Sequence, residues 1–287
     1  MQRILVTGAT GIVGSRTVER LGSSRDVFVR AAARRRDCQH RANDIETVEL
    51  RFEDPRTVRA AMTDVDVVFL VTPCAANQVE LATTAVAEAA ACGVNTLVRL
   101  SGFCADRPDG VEFMRQHTEI ERRIAASGIP YTIVRPQLYM DNFIHNCPPA
   151  RDGVIRLPWG SAGVSLIDAR DVADFATHVL TTDGHLGRTY TITGPAPVSV
   201  AEAASAMSDA SGRALAYLDT TEAVSRRSLL DQGMPAPVVD SLLALFASCK
   251  AGRHAAVTTT FTDVTGGRPR TLAEFAHDNA HTWRCTP

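Results

Sequence analysis

The sequence predicts an α/β fold: a Rossmann-type, doubly wound parallel sheet with a smaller α-rich C-terminal lobe. Three observations carry this. The chain opens with an apolar run, Arg3-Ile4-Leu5-Val6, that leads at once into glycines at 8, 11 and 14 and then into a helical stretch. Short apolar runs then alternate with helix-length segments as far as Pro136, as in successive βαβ units. Beyond Pro136 that rhythm breaks, and helical segments outnumber strands. The expected organisation is a nucleotide-binding core over 1–136 and a substrate lobe over 137–287, the two interleaved as a single structural unit.

The elements follow in order. Ser15 to Leu21 reads as the first helix, and Asp26 to Ala33 as the second strand. Glu46 to Phe52 is the third strand. Asp54 and Pro55 then fit the N-cap and first position of a helix ending at Met62. Val65 to Val71 is almost wholly apolar, as a central strand buried on both faces requires. An alanine-rich helix spans about Asn77 to Cys92, Thr96 to Leu100 is the fifth strand, a helix runs from about Val111 to Ala126, and Pro130 to Val134 is the sixth strand. Gln137 to Trp159 reads as loop. Val164 to Ile167 reads as a short strand, Asp168 to Leu180 as a helix, and Arg188 to Thr193 as a strand. Ser199 and Glu202 form a capping box for a helix to Ser211. Helices over Thr221–Gly233, Ala236–Cys249 and Thr271 to about Trp283 complete the chain.

The opening strand, glycine turn and helix N-terminus form a dinucleotide-binding fingerprint, here with the spacing G-x-x-G-x-x-G. Gly8 permits the tight turn, Gly11 lets backbone approach a pyrophosphate, and Gly14 lets the helix pack close to the strand. Free N–H groups and roughly half an elementary charge at the helix N-terminus favour the anion. The second strand ends in Arg34-Arg35-Arg36, where an NAD-binding strand would carry a carboxylate for the ribose 2′-OH. Arginines there suit a 2′-phosphate, so NADP(H) is the expected cofactor. A solvated basic turn is the alternative.

Composition bounds the rest. The 287 residues are 45% hydrophobic and 22% charged, ordinary for a soluble protein with ample core. A net charge of −2 gives no reason to invoke nucleic acid or an anionic membrane. The seven cysteines show neither a C-x-x-C pair nor zinc spacing, so no metal is expected and the thiols read as reduced. With no signal peptide or membrane span evident, the expected location is cytoplasmic. Lys250 is the single lysine.

The sequence resembles the NmrA-like branch of the atypical short-chain dehydrogenases/reductases. The resemblance rests on Ile4 to Gly11, Val65 to Pro73, Leu100-Ser101-Gly102, His117-x-x-x-Glu121 leading into Ser127 to Pro136, Ile167 to Ala173, and Glu274-Phe275-Ala276. It implies a Rossmann core, NADP(H) across the strand ends and an α-rich lobe over the nicotinamide. Matched residue by residue, Gly8, Thr10, Gly11, Ile12 and Val13 line the pyrophosphate and Arg34 the 2′-phosphate. Thr72 and Pro73 flank the adenine and ribose side, and Ser101 and Pro136 lie near the nicotinamide. Relatives often carry Gly-Asp at the end of the third strand, where this chain has Leu50-Arg51. Arg51 could instead stack on the adenine or add to the phosphate charge.

The usual short-chain reductase pairs a tyrosine with a lysine four residues later, which lowers the tyrosine pKa for proton donation. Here Phe246 stands four before the only lysine, so that pair cannot exist. The matching slots are His117 and Glu121, on one helix face. They read either as a solvated pair or as a site in which His117, with a pKa near neutrality, donates a proton or contacts an amide or phosphate. Ser101 either bonds nicotinamide or substrate, or caps its turn. Tyr139, Phe143 and Trp159, with Met140, either wall a pocket for a flat apolar substrate or belong to the core. Asp168 and Asp171 read as helix caps.

The candidate catalytic residues are therefore His117, Ser101 and Tyr139, in an NADPH-dependent reductase of quinones, conjugated carbonyls or polycyclic aromatics. A non-catalytic NADP(H) sensor and a non-redox lyase or isomerase are the alternatives. The expected partner is a small molecule, with the chain a monomer or homodimer.

Overall fold

The computed structural model describes residues 1–35, 45–103, 105–106 and 111–284. Arg36 of the arginine run lies outside them. The elements in chain order are β1 (Gln2–Val6), α1 (Ile12–Leu21), β2 (Val27–Ala33), β3 (Ile45–Glu49), α2 (Pro55–Met62), β4 (Val67–Leu70), α3 (Gln78–Ala91), β5 (Thr96–Leu100), α4 (Glu112–Ala126) and β6 (Tyr131–Pro136). Then come α5 (Asn142–His145), β7 (Val154–Leu157), α6 (Ala169–Thr181), β8 (Thr189–Ile192), α7 (Val200–Ser211), β9 (Ala216–Asp219), α8 (Glu222–Asp231), α9 (Ala236–Lys250), α10 (Thr260–Thr265), α11 (Leu272–Asp278) and α12 (Ala280–Trp283). The chain divides into two compact units. One comprises Met1–Pro108, Phe113–Pro136 and Arg170–Thr191; the other comprises Asp109–Glu112, Gln137–Ala169 and Ile192–Pro287.

The first unit is built on a seven-stranded sheet of order β3-β2-β1-β4-β5-β6-β8. Its β1, β2, β4, β5 and β6 pairs are parallel, with Val6 level with Ala31 on one side and Phe69 on the other. The strand ends that precede the glycine turn and the arginines therefore share one edge of the sheet. All four residues of β4 are buried, because helices cover both faces of a central parallel strand. One such layer packs Val58 and Met62 of α2, Leu81 and Ala85 of α3, and Ile120 and Ile124 of α4 against Leu5, Val68, Leu97 and Ile133. The edge strand β3 is only half-buried along its length, which accommodates Glu46, Thr47 and Glu49. Glu46 there accepts a hydrogen bond from Arg30 of β2 at 2.7 Å. The Asp54 side chain caps α2 by accepting from the Arg56 N–H at 3.1 Å, with Pro55 in the first turn.

The second unit departs from the sequence expectation in four places. The stretch 137–159 is not all loop: it holds α5 and β7, and β7 pairs in parallel with β9 to make a two-stranded sheet. Each of those strands is four residues long, and prolines and Asp152-Gly153 flank β7. Neither carries a periodic signal, and the ladder forms only through a partner some sixty positions away. Conversely, Val164 to Ile167 makes only single bridges, Tyr139 with Ile167 and Val164 with Val198. Its apolar composition reflects burial, since Val164, Leu166 and Ile167 are all in the core. The C-terminal helix is broken at Asn279 into α11 and α12, and α10 had no counterpart in the sequence reading. The Ser199–Glu202 capping box is present.

No helix among the described residues is long and apolar enough to cross a membrane. Nor do the described histidines, cysteines and carboxylates form a cluster that could hold a metal ion.

Candidate active site

The site begins where β1 ends. The Thr7 hydroxyl accepts from the Val71 N–H at 2.7 Å and donates to the Val71 carbonyl at 2.9 Å, lashing the ends of β1 and β4 together. Thr7 is fully buried, and its role was not legible in the fingerprint that contains it. Gly8 follows with φ of +60°, a left-handed conformation that favours glycine. The Gly11 N–H then closes the turn onto the Gly8 carbonyl at 2.9 Å. A Cβ on Gly14 would lie 2.2 Å from that same carbonyl oxygen, so helix and turn approach each other at a distance only glycine allows. Gly11 caps α1 in extended conformation with no side-chain hydrogen bond, and no acidic residue occupies the first turn. The N-terminal N–H groups of α1, next to Gly8, Thr10, Gly11, Ile12 and Val13, therefore meet neither a side-chain cap nor a carboxylate.

The arginines stand at the neighbouring strand ends. Arg34 is largely exposed and pairs with Glu53 at 2.8 Å, and Arg35 is exposed beside it. Arg51 is held by Glu49 at 3.2 Å and Asp54 at 3.6 Å. These are surface ion pairs, worth about 0–1 kcal/mol each. At the end of β4, Thr72 accepts from the Gln78 amide at 2.8 Å, and Gln116 of α4 donates to the Ala76 carbonyl at 3.0 Å. Two buried glutamines therefore pin the segment after β4, a function the sequence reading missed.

At the end of β5, the Ser101 N–H pairs with the Val134 carbonyl at 2.8 Å, and the Phe103 N–H with the Pro136 carbonyl at 3.0 Å. Ser101 does not simply cap a turn. Its hydroxyl donates to Glu121 at 2.5 Å, and Glu121 is gripped in bidentate fashion by Arg135 at 3.0 and 2.5 Å. Glu121 is consequently not a solvated partner of His117.

His117 differs from its expectation more sharply. Its ring edge lies against Gly102, where a Cβ would meet the imidazole at 2.8 Å. Its Nδ1 is buried with no hydrogen-bond partner among the described residues. Burial, aided by the charge of Arg99, pushes its pKa down to about 3. Arg99 is itself fully buried in β5 and donates to the Leu70 carbonyl at 3.1 Å. Protonating His117 would bury a second cation beside the first, on a nitrogen with no acceptor to meet it. The ring is neutral at physiological pH, which removes the near-neutral acid expected of it.

Gly8, Thr10, Gly11, Ile12, Val13, Arg34, Arg35, Thr72, Pro73, Ser101, Pro136 and His117 all belong to the first unit, at or beside the carboxyl ends of its strands. Tyr139 belongs to the second unit, where it is half-buried and bridges to Ile167. The companions expected to wall a pocket do not do so. Met140, Phe143 and Trp159 are 1%, 2% and 4% exposed, and Trp159 stacks on Phe246 at 5.7 Å between ring centroids. These three are core residues. In the same unit Lys250 pairs with Asp219 at 3.1 Å, and the Tyr217 hydroxyl donates to the same carboxylate at 3.2 Å. Burial pushes the Tyr217 pKa up to about 12, the opposite of an activated tyrosine.

A family model described as NAD(P)H-binding matches residues 8–183. The chain is 36% identical over 281 residues to an NAD(P)H azoreductase of Xenophilus azovorans, spanning 96% of this chain and 98% of that protein. It is 26% identical over 277 residues to quinone oxidoreductase 2 of Escherichia coli K12, spanning 94% and 96%. The crystal structure of Citrobacter sp. triphenylmethane reductase complexed with NADP(H) has the same fold. It superposes with a TM-score of 0.84 at 21% identity, over 97% of this chain and 99% of that one.

Proposed function

The chain belongs to the NAD(P)H-binding family, as its resemblance to the NmrA-like reductases implied, and from that premise we propose that it is an NADPH-dependent reductase of delocalised acceptors. The substrates are quinones, conjugated carbonyls and polycyclic or azo-linked aromatics. The similarity to an azoreductase and a quinone oxidoreductase over nearly the full chain supports this class, because those substrates share an extended π system.

The residues present fit the cofactor. A helix N-terminus with no side-chain cap and a turn with glycine at both ends suit a pyrophosphate, held by backbone at Gly8, Thr10, Gly11, Ile12 and Val13. Arg34 and Arg35 take the 2′-phosphate, Thr72 and Pro73 flank the adenine-ribose half, and Ser101 and Pro136 lie near the nicotinamide. NADPH, when bound, supplies a hydride.

What the protein leaves out decides the acceptor, and the observation that carries this reading is the state of His117 and Ser101. His117 is held neutral, so it has no imidazolium proton to give. The Ser101 proton is directed at the Glu121 carboxylate. Neither group stabilises an alkoxide as a tyrosine–lysine pair does, a donor effect typically worth ~3–4 kcal/mol. A plain ketone needs that help. A quinone or extended enone spreads the added charge over its π system and takes its proton from water afterwards. His117 then serves to orient the acceptor rather than to protonate it.

The test is NADPH oxidation against a panel of quinones, azo compounds, enones and plain aliphatic ketones. Turnover of the first three with little of the last is expected. Rapid reduction of plain ketones would overturn the mechanism, and tight NADPH binding without turnover of any acceptor would replace the enzyme with a cofactor sensor.

A further inference from the structure

Ser101, Glu121 and Arg135 form a chain of hydrogen bonds beneath the sheet edge, from β5 through α4 to β6. Ser101 is 6% exposed, and the Glu121 and Arg135 side chains 12% and 15%, so water competes little for these bonds. Arg135 occupies both carboxylate oxygens of Glu121, and its remaining amino group lies 3.7 Å from Asp106. An ionised carboxylate only accepts, and a serine hydroxyl has one proton. With that proton turned inward, Ser101 Oγ offers its open side lone pairs alone.

We propose that Glu121 is a positioning residue that, braced by Arg135, fixes Ser101 as a hydrogen-bond acceptor for the carboxamide N–H of the nicotinamide. The inference rests on the reading above that places the nicotinamide near Ser101, and goes beyond it by assigning polarity and direction. A serine free to rotate could donate to a carbonyl as readily as accept from an amide. A serine tied to Glu121 cannot, so the site distinguishes a ring bearing a carboxamide from one bearing a ketone of the same shape. The Glu121 slot thus reverses the usual device of the fold, with a carboxylate that orients an acceptor where a lysine would assist a proton donor.

The test is equilibrium binding, without turnover, of NADP⁺ and of its 3-acetylpyridine analogue, in which a methyl group replaces the carboxamide nitrogen. Binding of 2′,5′-ADP reports the adenine half alone. Wild type should prefer NADP⁺ by about three- to tenfold, the worth of one hydrogen bond. Ser101→Ala, which leaves the Glu121–Arg135 pair intact, should lower that preference to about one, and Ser101→Thr should restore it. Glu121→Ala should also lower it, because a hydroxyl with no carboxylate to receive its proton is free to turn outward. Affinity for 2′,5′-ADP should stay unchanged throughout. A preference that survives Ser101→Ala or Glu121→Ala, or that is absent from wild type, overturns the proposal while leaving the cofactor assignment standing. Failure of wild type to bind 2′,5′-ADP removes that assignment, and this inference with it.

Discussion

Replacing His117 with glutamine should change how stability depends on pH. In the folded protein burial and the charge of Arg99 push the imidazole pKa down to about 3, from an ordinary value of 6.5. Between those values the unfolded chain binds a proton that the folded chain does not, so stability falls as pH falls below 6.5. Each pH unit in this window costs at most 1.36 kcal/mol, and at about pH 5 the deficit is about 2 kcal/mol. Above about pH 7 it is nil, because both states are neutral. Glutamine carries no such proton. The stability of wild type relative to His117→Gln should therefore drop by about 2 kcal/mol between about pH 7.5 and about pH 5, measured by urea denaturation at both values. An NMR titration of the His117 ring gives the same quantity directly. A difference that is constant with pH, or a ring titrating near 6.5, would refute the account of a neutral imidazole pressed between Gly102 and the charge of Arg99.

Three further outcomes follow from the fingerprint and the arginines. Gly11→Val should abolish NADPH binding in a folded protein, since its Cβ would meet only the Gly8 carbonyl at 3.2 Å, whereas Gly14→Ala, at 2.2 Å from that oxygen, should displace α1 and lower the melting temperature as well. Circular dichroism melts and cofactor titrations separate the two, and a Gly14→Ala variant as stable as wild type would contradict the close approach. Arg34→Ala should weaken NADPH about tenfold and leave NADH nearly unchanged. That is the lower end for a charge-assisted bond, because the Arg34 side chain is 73% exposed and already shared with Glu53. Equal losses for both cofactors in calorimetry would remove the 2′-phosphate from Arg34.

Much of the first unit was legible because its signals are local. A strand buried on both faces must be an apolar run, as Val67 to Leu70 is, and the turn after β1 needs glycine for reasons of backbone alone. The Asp54 and Ser199 caps likewise act within one helical turn. The signals fail where a residue's meaning depends on distant neighbours. β7 and β9 are strands only because each finds the other, and Met140, Phe143 and Trp159 offer the same composition to a core as to a pocket wall. One clue was available: Arg135 lies within a largely buried strand, and a charge there demands a partner.

The sequence by itself determined the alternation of strands and helices, the glycine turn on which a dinucleotide can rest, and the arginines that follow β2. It also settled that no tyrosine–lysine pair exists, a matter of counting one residue type. The spacing of His117 and Glu121 placed both on one face of α4, and spacing could go no further. Which side chain loses its water, and which finds a counter-charge, depends on what β5 and β6 carry to that face. Only the tertiary structure decided that Glu121 meets Arg135 and Ser101 while His117 meets Gly102 and the field of Arg99. Desolvation and charge pairing are properties of a three-dimensional neighbourhood, and they leave the His117 ring neutral and tie the Glu121 carboxylate to Arg135 and Ser101.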